Sequence, residues 1–589
     1  MQGAHSSLGN WFWRMENDRR TLGFRLNPWI TGTLGFVLLA FLPWGCSDSH
    51  PDVSRQPRQA VLPNISFSQS SDSIEVYDFV EIAIIVEGPT AKNPFTDVFV
   101  SGIVSTRQIK EVSSATVHGF CDSADGSVFR VHFMPMEAGE YTYSVTYWQD
   151  NLQQMHSGKF KAVDVKRRGP VLVDLAYPWH FMWKGTGEHY YLNGTTAFLL
   201  MGWDDEKVIR DALDRLHSLD INRIRVLLDG RTDHFWTEPI KPGGGFHAHL
   251  NPWVAKRPDD IANPGFDYSR FDVDYWKKFE RMLKYARERD MIISVIFGWN
   301  DTLVHPEAGS ADEHRYIRYA VARLGSYSNV TWDLGDDLDS FRSEAWTHET
   351  GTWLQELDPY HHLATSHPVK NHHQDRSSPW FGMTSFQMWE RPVHAWMLEQ
   401  RKQQAHTGRI IPQVNEEYGY EDHYPEWAPY KAPAASADAM RRVAWEIAMA
   451  GGYQTTGETA KRRTGVDPDT GGGFVNGRGD DTMTMLKGYA HMVHFFSHFQ
   501  WWKTDPHDEL VNNGSFCLAD PGRLYVIYLP YGGSVTAKLE PGRYEMRWFN
   551  PRSGEYSTAG FAQGPNWTSS IAPDVEDWVI QLSHSPSEH

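Results

Sequence analysis

Cysteine is the scarcest informative residue. Only Cys46, Cys121 and Cys517 occur in 589 residues, with no CxxC pair and no Cys/His cluster. That spacing excludes a structural zinc site. Cys121 and Cys517 lie far apart, in different predicted domains, and are expected to be free and buried. Positive charge is also short: 56 basic against 74 acidic side chains give a formal charge of −18. Phosphate contacts need a basic surface, so nucleic acid is excluded as a partner. The chain has no nucleophile elbow and no zinc-binding helix motif, which removes the esterase and protease classes. A dinucleotide fold would want a Gly-rich loop after its first strand, and "NGTTAF" is not one. The Gly-rich "TGGGFVNGRGDD" follows the last predicted barrel strand and reads as a mobile lip over a site. Calcium wants six to eight oxygens at defined spacing. Neither "DPDTGGG" nor the acidic run from Asp333 to Asp339 supplies it. No metal and no cofactor is expected.

Aromatic residues, by contrast, are abundant, with 25 Trp, 25 Tyr and 30 Phe. Such rings fill large cores and also stack on the apolar faces of sugars. One long apolar run exists, "WITGTLGFVLLAFLPWGC", preceded by Arg19, Arg20 and Arg25. This order is that of an export signal. Its Gly45-Cys46 end, followed by a polar stretch, resembles a bacterial lipoprotein signal, which implies lipid attachment at Cys46. A cut elsewhere nearby, or an uncleaved anchor of ~18 residues, are the alternatives. Each places the bulk of the protein outside the cytoplasm, at the cell envelope or beyond. Membrane contact would then run only through the N-terminal anchor.

Period changes divide the rest. Residues 1–46 read as the signal and 47–64 as a polar tether. Residues 65–165 alternate apolar and polar positions in short strands such as "EVYDFVEIAIIVEG" and "GEYTYSVTYW", the pattern of a β-sandwich. Over 172–505, apolar strands alternate with amphipathic helices. "DEKVIRDALDRLHSLD" places Val208, Ile209, Ala212, Leu213 and Leu216 on one face, and the next helix aligns Trp276, Phe279, Leu283 and Ala286. Eight such units predict a parallel (β/α)₈ TIM barrel. Residues 510–585 return to strands, a second β-sandwich. The fold class is therefore multidomain: a barrel flanked by N-terminal and C-terminal β-sandwich domains.

In such a barrel, reactive groups come from the C-terminal ends of strands. Those ends carry Trp203, Arg225, Trp299, Asp336, Asp337, His367, Gln387, Trp389, Glu416 and Glu417. Acids after the fourth and seventh strands, ringed by aromatics, Arg, His and Gln, suit glycosidic bond cleavage. One carboxyl protonates the leaving oxygen while the other attacks carbon or activates water. "NVTWDLGDD" and "PQVNEEYGYE" resemble the catalytic segments of clan A glycoside hydrolases. "YYLNGTTAFLLMGW" and "GGGFVNGRGDDTMTML" are similar to segments of the apiosidase-like bacterial barrels. Those barrels often carry an N-terminal sandwich like "GFCDSADGSVFRVHFMPMEAGEYTYSV" and a C-terminal domain of the so-called collagen-binding type. That last name is not read as collagen binding.

The resemblance implies Asp337 as acid/base, Glu417 as nucleophile and retention of configuration. It leaves Asp336 unexplained, between substrate binding and support of its neighbour. Arg225, His367, Gln387, Trp389, Trp299 and Trp203 are candidate substrate contacts, and Trp427 a further sugar platform. A bland reading stands beside each role. Asp337 would cap the next helix, although Asp339 and Ser340 suit that better. Glu417 would pair with Arg225. Asp333 and Glu416 would alternate away from the site. The function expected is an exported glycoside hydrolase acting on plant or algal poly- or oligosaccharides. The alternative is a non-catalytic surface carbohydrate-binding or adhesion protein on a hydrolase-like barrel.

Overall fold

The computed structural model describes residues 63–585, except 108–111, 233–244, 301–303, 370–374, 391, 423–434, 459–472 and 480. The expected signal, Cys46, nearly all of the tether and Trp427 lie outside the described residues. Among the described residues no helix is long and apolar enough to cross a membrane.

Eight strands form the central sheet: β1 (Asn193–Thr196), β2 (Arg223–Leu227), β3 (Ile292–Ile296), β4 (Val330–Asp333), β5 (Ala364–Thr365), β6 (Thr384–Gln387), β7 (Gln413–Glu417) and β8 (Tyr453–Glu458). Their order is β5-β4-β3-β2-β1-β8-β7-β6, all parallel. The two outer strands approach through an Ala364–Phe381 bridge and the Gly382 N–H donating to the Ala364 carbonyl at 2.8 Å, which nearly closes the barrel. The helices α1 (Glu206–Ser218), α2 (Val273–Arg287), α3 (Ala311–Leu324), α4 (Glu344–Leu357), α5 (Val393–His406) and α6 (Ala437–Met449) follow strands in turn. Capping side chains start most of them. Asp205, Asp272, Ser310, Ser343 and Ser436 each accept a backbone N–H of the first turn. The predicted faces are the buried ones: Ile209, Ala212, Leu213 and Leu216 on α1, and Trp276, Phe279, Leu283 and Ala286 on α2.

The N-terminal region is two sheets, of four and five strands, packed over a core that includes Val80, Ile82, Val131, Val145 and Tyr147. It is pinned to the barrel by buried polar bonds. Arg323 of α3 donates to Asp122 and to Glu280, both at 2.7 Å, and the Tyr319 hydroxyl donates to the Cys121 carbonyl at 2.8 Å. The C-terminal region is a six-stranded sheet and a two-stranded ribbon with its own core around Tyr525, Ile527 and Ile580. Arg441 of α6 bonds its Asp577 at 2.7 Å, and Trp445 stacks on Tyr528. Cys121 and Cys517 are free and buried, as expected.

The segment expected to be a mobile lip is different in its described part. Gly473–Asn476 forms a short buried helix, α7, sewn to the end of β1. Its Phe474 and Val475 carbonyls accept the Phe198 and Leu199 N–H groups, and Phe474 stacks on Tyr420 at 4.0 Å. Helix α8 (Met485–Ser497) follows. The Glu421 carboxylate accepts the Thr484 and Met485 N–H groups that open α8, and burial pushes that acid up to about 7.

Candidate active site

The interior of the barrel is polar where β2, β4 and β7 meet. Arg223 and Arg225 leave β2 on the same face, two residues apart, as strand alternation requires. Arg223 donates to Glu416 at 2.7 Å and to Ser294 at 2.8 Å. Arg225, fully buried, donates to Asp336 at 2.6 Å, with Asp333 at 3.4 Å and Glu416 at 3.8 Å. Its other face lies over the Phe198 ring. A buried guanidinium must be neutralised, and the acids around Arg225 do that.

Two expectations are corrected here. Asp333 does not face an outer helix. Trp332 takes the outer face, its indole donating to Asp358, so Asp333 turns inward to Arg225. Glu416 does not point away from the barrel either. β6 and β7 pair Phe386 with Asn415 but Gln387 with Glu417, so Glu416 is the extra residue of a β-bulge. The bulge brings Glu416 and Glu417 both to the inside. In the orientation its neighbours require, the Asn415 amide donates to the Glu417 and Phe386 carbonyls at 3.0 and 3.2 Å, which holds the bulge.

Asp336, unexplained by sequence, is the hub. Its Oδ1 accepts from Arg225 and lies 2.9 Å from His367 Nδ1. Burial opposes its ionisation, but Arg225 and His367 overcome burial and hold it down at about 2. His367 is likewise fully buried. Burial and Arg225 would lower it, yet the Asp336 and Glu417 carboxylates raise it above the usual histidine value. Asp336, Asp337 and His367 are the closest grouping of metal-type ligand atoms among the described residues, within 4.8 Å of one another. The Arg225 cation already occupies the Asp336 oxygen, so the donor set reads as an ion-pair network.

Asp337 sits one residue further on, at a φ of 50°. Aspartate is one of the few side chains that tolerates this left-handed turn, at a cost that functional sites commonly carry. The turn breaks strand alternation and lets two successive acids serve one pocket. Asn300, just after β3, donates to Asp337 Oδ2 at 3.1 Å, and Oδ1 has no hydrogen-bond partner among the described residues. Burial first, then the charges of Asp336 and Glu417, push Asp337 well above the carboxylate range. Glu417 is 3% exposed and hydrogen-bonded by Tyr420. Burial and Asp336 push it up to about 7. The bland alternatives do not hold. Asp339 accepts the Val369 N–H at 2.6 Å, α4 is capped by Ser343, and Asp337 makes no side-chain cap. The bonded partner of Arg225 is Asp336, not Glu417.

Of the other candidates, Gln387 ends β6 opposite Glu417. Trp389 is half-buried and edge-on to Tyr420. Trp299 stacks on Phe198 at 5.3 Å and bridges the backbone of Asp336. Trp203 is a packing residue: it is fully buried and its indole donates to the Asn476 carbonyl at 2.8 Å. Three residues were missed. Tyr420 lies three positions past Glu417, where "EEYGYE" could have signalled it. His305, 3.2 Å from the buried Asp229, and Asn300's role toward Asp337 depend on loop paths that no local pattern reveals.

Two ionisable acids thus stand at the ends of β4 and β7 around one permanent negative charge. Residues 246–458 match the family model described as apiosidase-like, catalytic domain. Over that span, from β3 to β8, the barrel is similar to the apiosidase-like catalytic domain. Residues 73–147 match a domain of unknown function, and 508–583 a domain described as "Putative collagen-binding domain of a collagenase". No curated protein matches. Among solved structures, this chain resembles a Bacteroides vulgatus protein described as a "putative glycoside hydrolase". The two are 20% identical, with 87% of this chain and 100% of that one covered and a TM-score of 0.73. It also resembles a glycoside hydrolase family 5 protein of the same species at 14% identity, covering 72% of this chain and 95% of that one, with a TM-score of 0.57. At these identities the likeness is one of fold.

Proposed function

We propose that this protein is an exported glycoside hydrolase of plant or algal poly- or oligosaccharides, with Asp337 as acid/base and Glu417 as nucleophile. The observation that carries the reading is the charge arrangement. Asp336 is held ionised by Arg225 and His367, and its field raises both flanking acids. Such a pair titrates together. Asp337, raised by burial and by its neighbours' charges, gives its proton to the glycosidic oxygen as the bond breaks. Glu417, once ionised, attacks the anomeric carbon. Water then enters, and the Asp337 carboxylate takes its proton as the glycosyl–Glu417 bond breaks. Arg225 Nη1 and His367 Nε2 are buried without hydrogen-bond partners among the described residues. Trp299 and Trp389 offer ring surface, and Gln387 an amide.

Asp337→Asn and Glu417→Gln are each expected to lower kcat by about 10²–10⁴-fold on a responsive glycan, with the fold unchanged by circular dichroism. NMR of the first-formed anomer tests retention, which corresponds to carboxyls ~5–5.5 Å apart rather than ~6.5–9.5 Å. If both variants match the parent on every glycan that is turned over, the assignment fails. Retained binding without turnover would favour the adhesion reading. Export with lipidation is expected to give palmitate labelling of the full chain in a bacterial host. Cys46→Ser should abolish it, and labelling that persists would remove Cys46 from the reading.

A further inference from the structure

The larger N-terminal sheet presents an aromatic pair to solvent. Phe99 faces Trp148 across strands 98–107 and 139–149, with ring centroids 5.3 Å apart. Phe99 is 46% exposed, and Ile103 and Met155 stand out on the same sheet. Register places Ser101 and Thr146 beside the pair, with His118 and Thr116 on the neighbouring strand. The His118 ring is edge-on to Phe99 at 5.8 Å. Its Nδ1 is shut off from solvent and has no hydrogen-bond partner.

From Phe99 a cavity of about 380 Å³ runs between the sheet and α3, lined also by His118, Phe120, His314, Arg315 and Arg318. Arg315 is neutralised by Asp312. Arg318 has no carboxylate partner among the described residues, and its guanidinium lies 5.9 Å from the centre of the Trp353 ring. His314 stands 4.8 Å from the same ring. An arginine with no carboxylate partner among the described residues, beside Trp353 and lining one cavity with Phe99, is unusual on a chain of charge −18. Flat rings suit the apolar face of a pyranose, and a guanidinium suits a planar or tetrahedral oxyanion.

We infer that this groove is a second, non-catalytic saccharide site that takes an anionic oligosaccharide. A sugar ring stacks on Phe99 beside Trp148, and Arg318 holds its carboxylate or sulfate. The site shares no residue with the barrel pocket and does not require Asp337 or Glu417 to be catalytic.

Calorimetry tests it on the full chain carrying Glu417→Gln. The probes are a size-defined oligogalacturonide, its methyl-esterified neutral form, and a sulfated carrageenan oligosaccharide. At least one anionic probe is expected to bind about tenfold more tightly than the neutral one. Adding Phe99→Ala or Arg318→Ala should each weaken that binding about tenfold, with Arg318→Lys recovering part of it. Binding of the oligogalacturonide alone identifies a uronate ligand, and of the carrageenan alone a sulfated one. Binding that both substitutions leave unchanged, equal affinity for the neutral probe, or no binding of any probe overturns the inference. Phe99 and Arg318 are both exposed, so melting temperatures of the variants should match the parent and separate lost binding from lost fold.

Discussion

The charge that Arg225 and His367 hold on Asp336 raises both Asp337 and Glu417. Removing it acts twice. Asp336 is the charge that most raises Glu417, so Asp336→Asn should move the acid limb of the pH–rate profile downward, measured as kcat/KM against pH. On the proposed assignment, that limb in the parent is expected to follow ionisation of Glu417 near 7, with activity rising as pH climbs through it and falling as Asp337 loses its proton. The same substitution leaves Arg225 with only the longer contacts to Asp333 and Glu416. Breaking a buried pair from one side costs about 3–5 kcal/mol, which thermal unfolding would register. A variant with an unshifted acid limb would show that Asp336 is merely structural. At this scale the sequence revealed the carboxylates but not their division of labour, since which acid meets Arg225 is decided by groups about a hundred residues away.

The elements show where local rules broke. Apolar periodicity predicted the eight barrel strands and their helices, because one buried face per helix must repeat every three to four residues. Alternation misassigned Asp333 and Glu416. A bulge in β7 and a left-handed turn after β4 each reset the two-residue period. Neither leaves a mark in one sequence when the residues involved are Glu and Asp. The link after β8 is a further case: Gly-rich text read as a mobile lip, yet Gly473–Asn476 packs as structure. Gly479 explains one glycine there. It sits at a φ of 66°, and an added Cβ would lie 1.7 Å from Glu458 Oε1, itself held by Arg215. Gly479→Ala should destabilise the protein by about 1–3 kcal/mol, read as a lower denaturation midpoint at unchanged slope. A neutral result would mean that the Glu458–Arg215 pair yields freely.

For the whole molecule, buried acids set how stability follows pH. Asp336 is depressed, so its contribution is complete above the ordinary aspartate value and is lost as pH falls toward about 2. Glu417 and Glu421 are raised to about 7. Their contributions are complete below the ordinary glutamate value and shrink as pH rises through about 7. The melting temperature is therefore expected to peak in mildly acidic buffer and decline toward neutrality, checked by calorimetry across pH. A maximum at alkaline pH would contradict it. Composition, charge and periodicity determined that this chain is a multidomain β/α protein unsuited to nucleic acid, with acids at the ends of the fourth and seventh strands. Those properties are local sums that need no knowledge of neighbours. Only the tertiary structure decided which acid is pinned by Arg225 and His367, which tryptophans are core, and that Arg318 and Phe99 line one groove between the sandwich and the barrel. Each depends on side chains from different elements sharing one low-dielectric space, and sequence order does not encode that proximity.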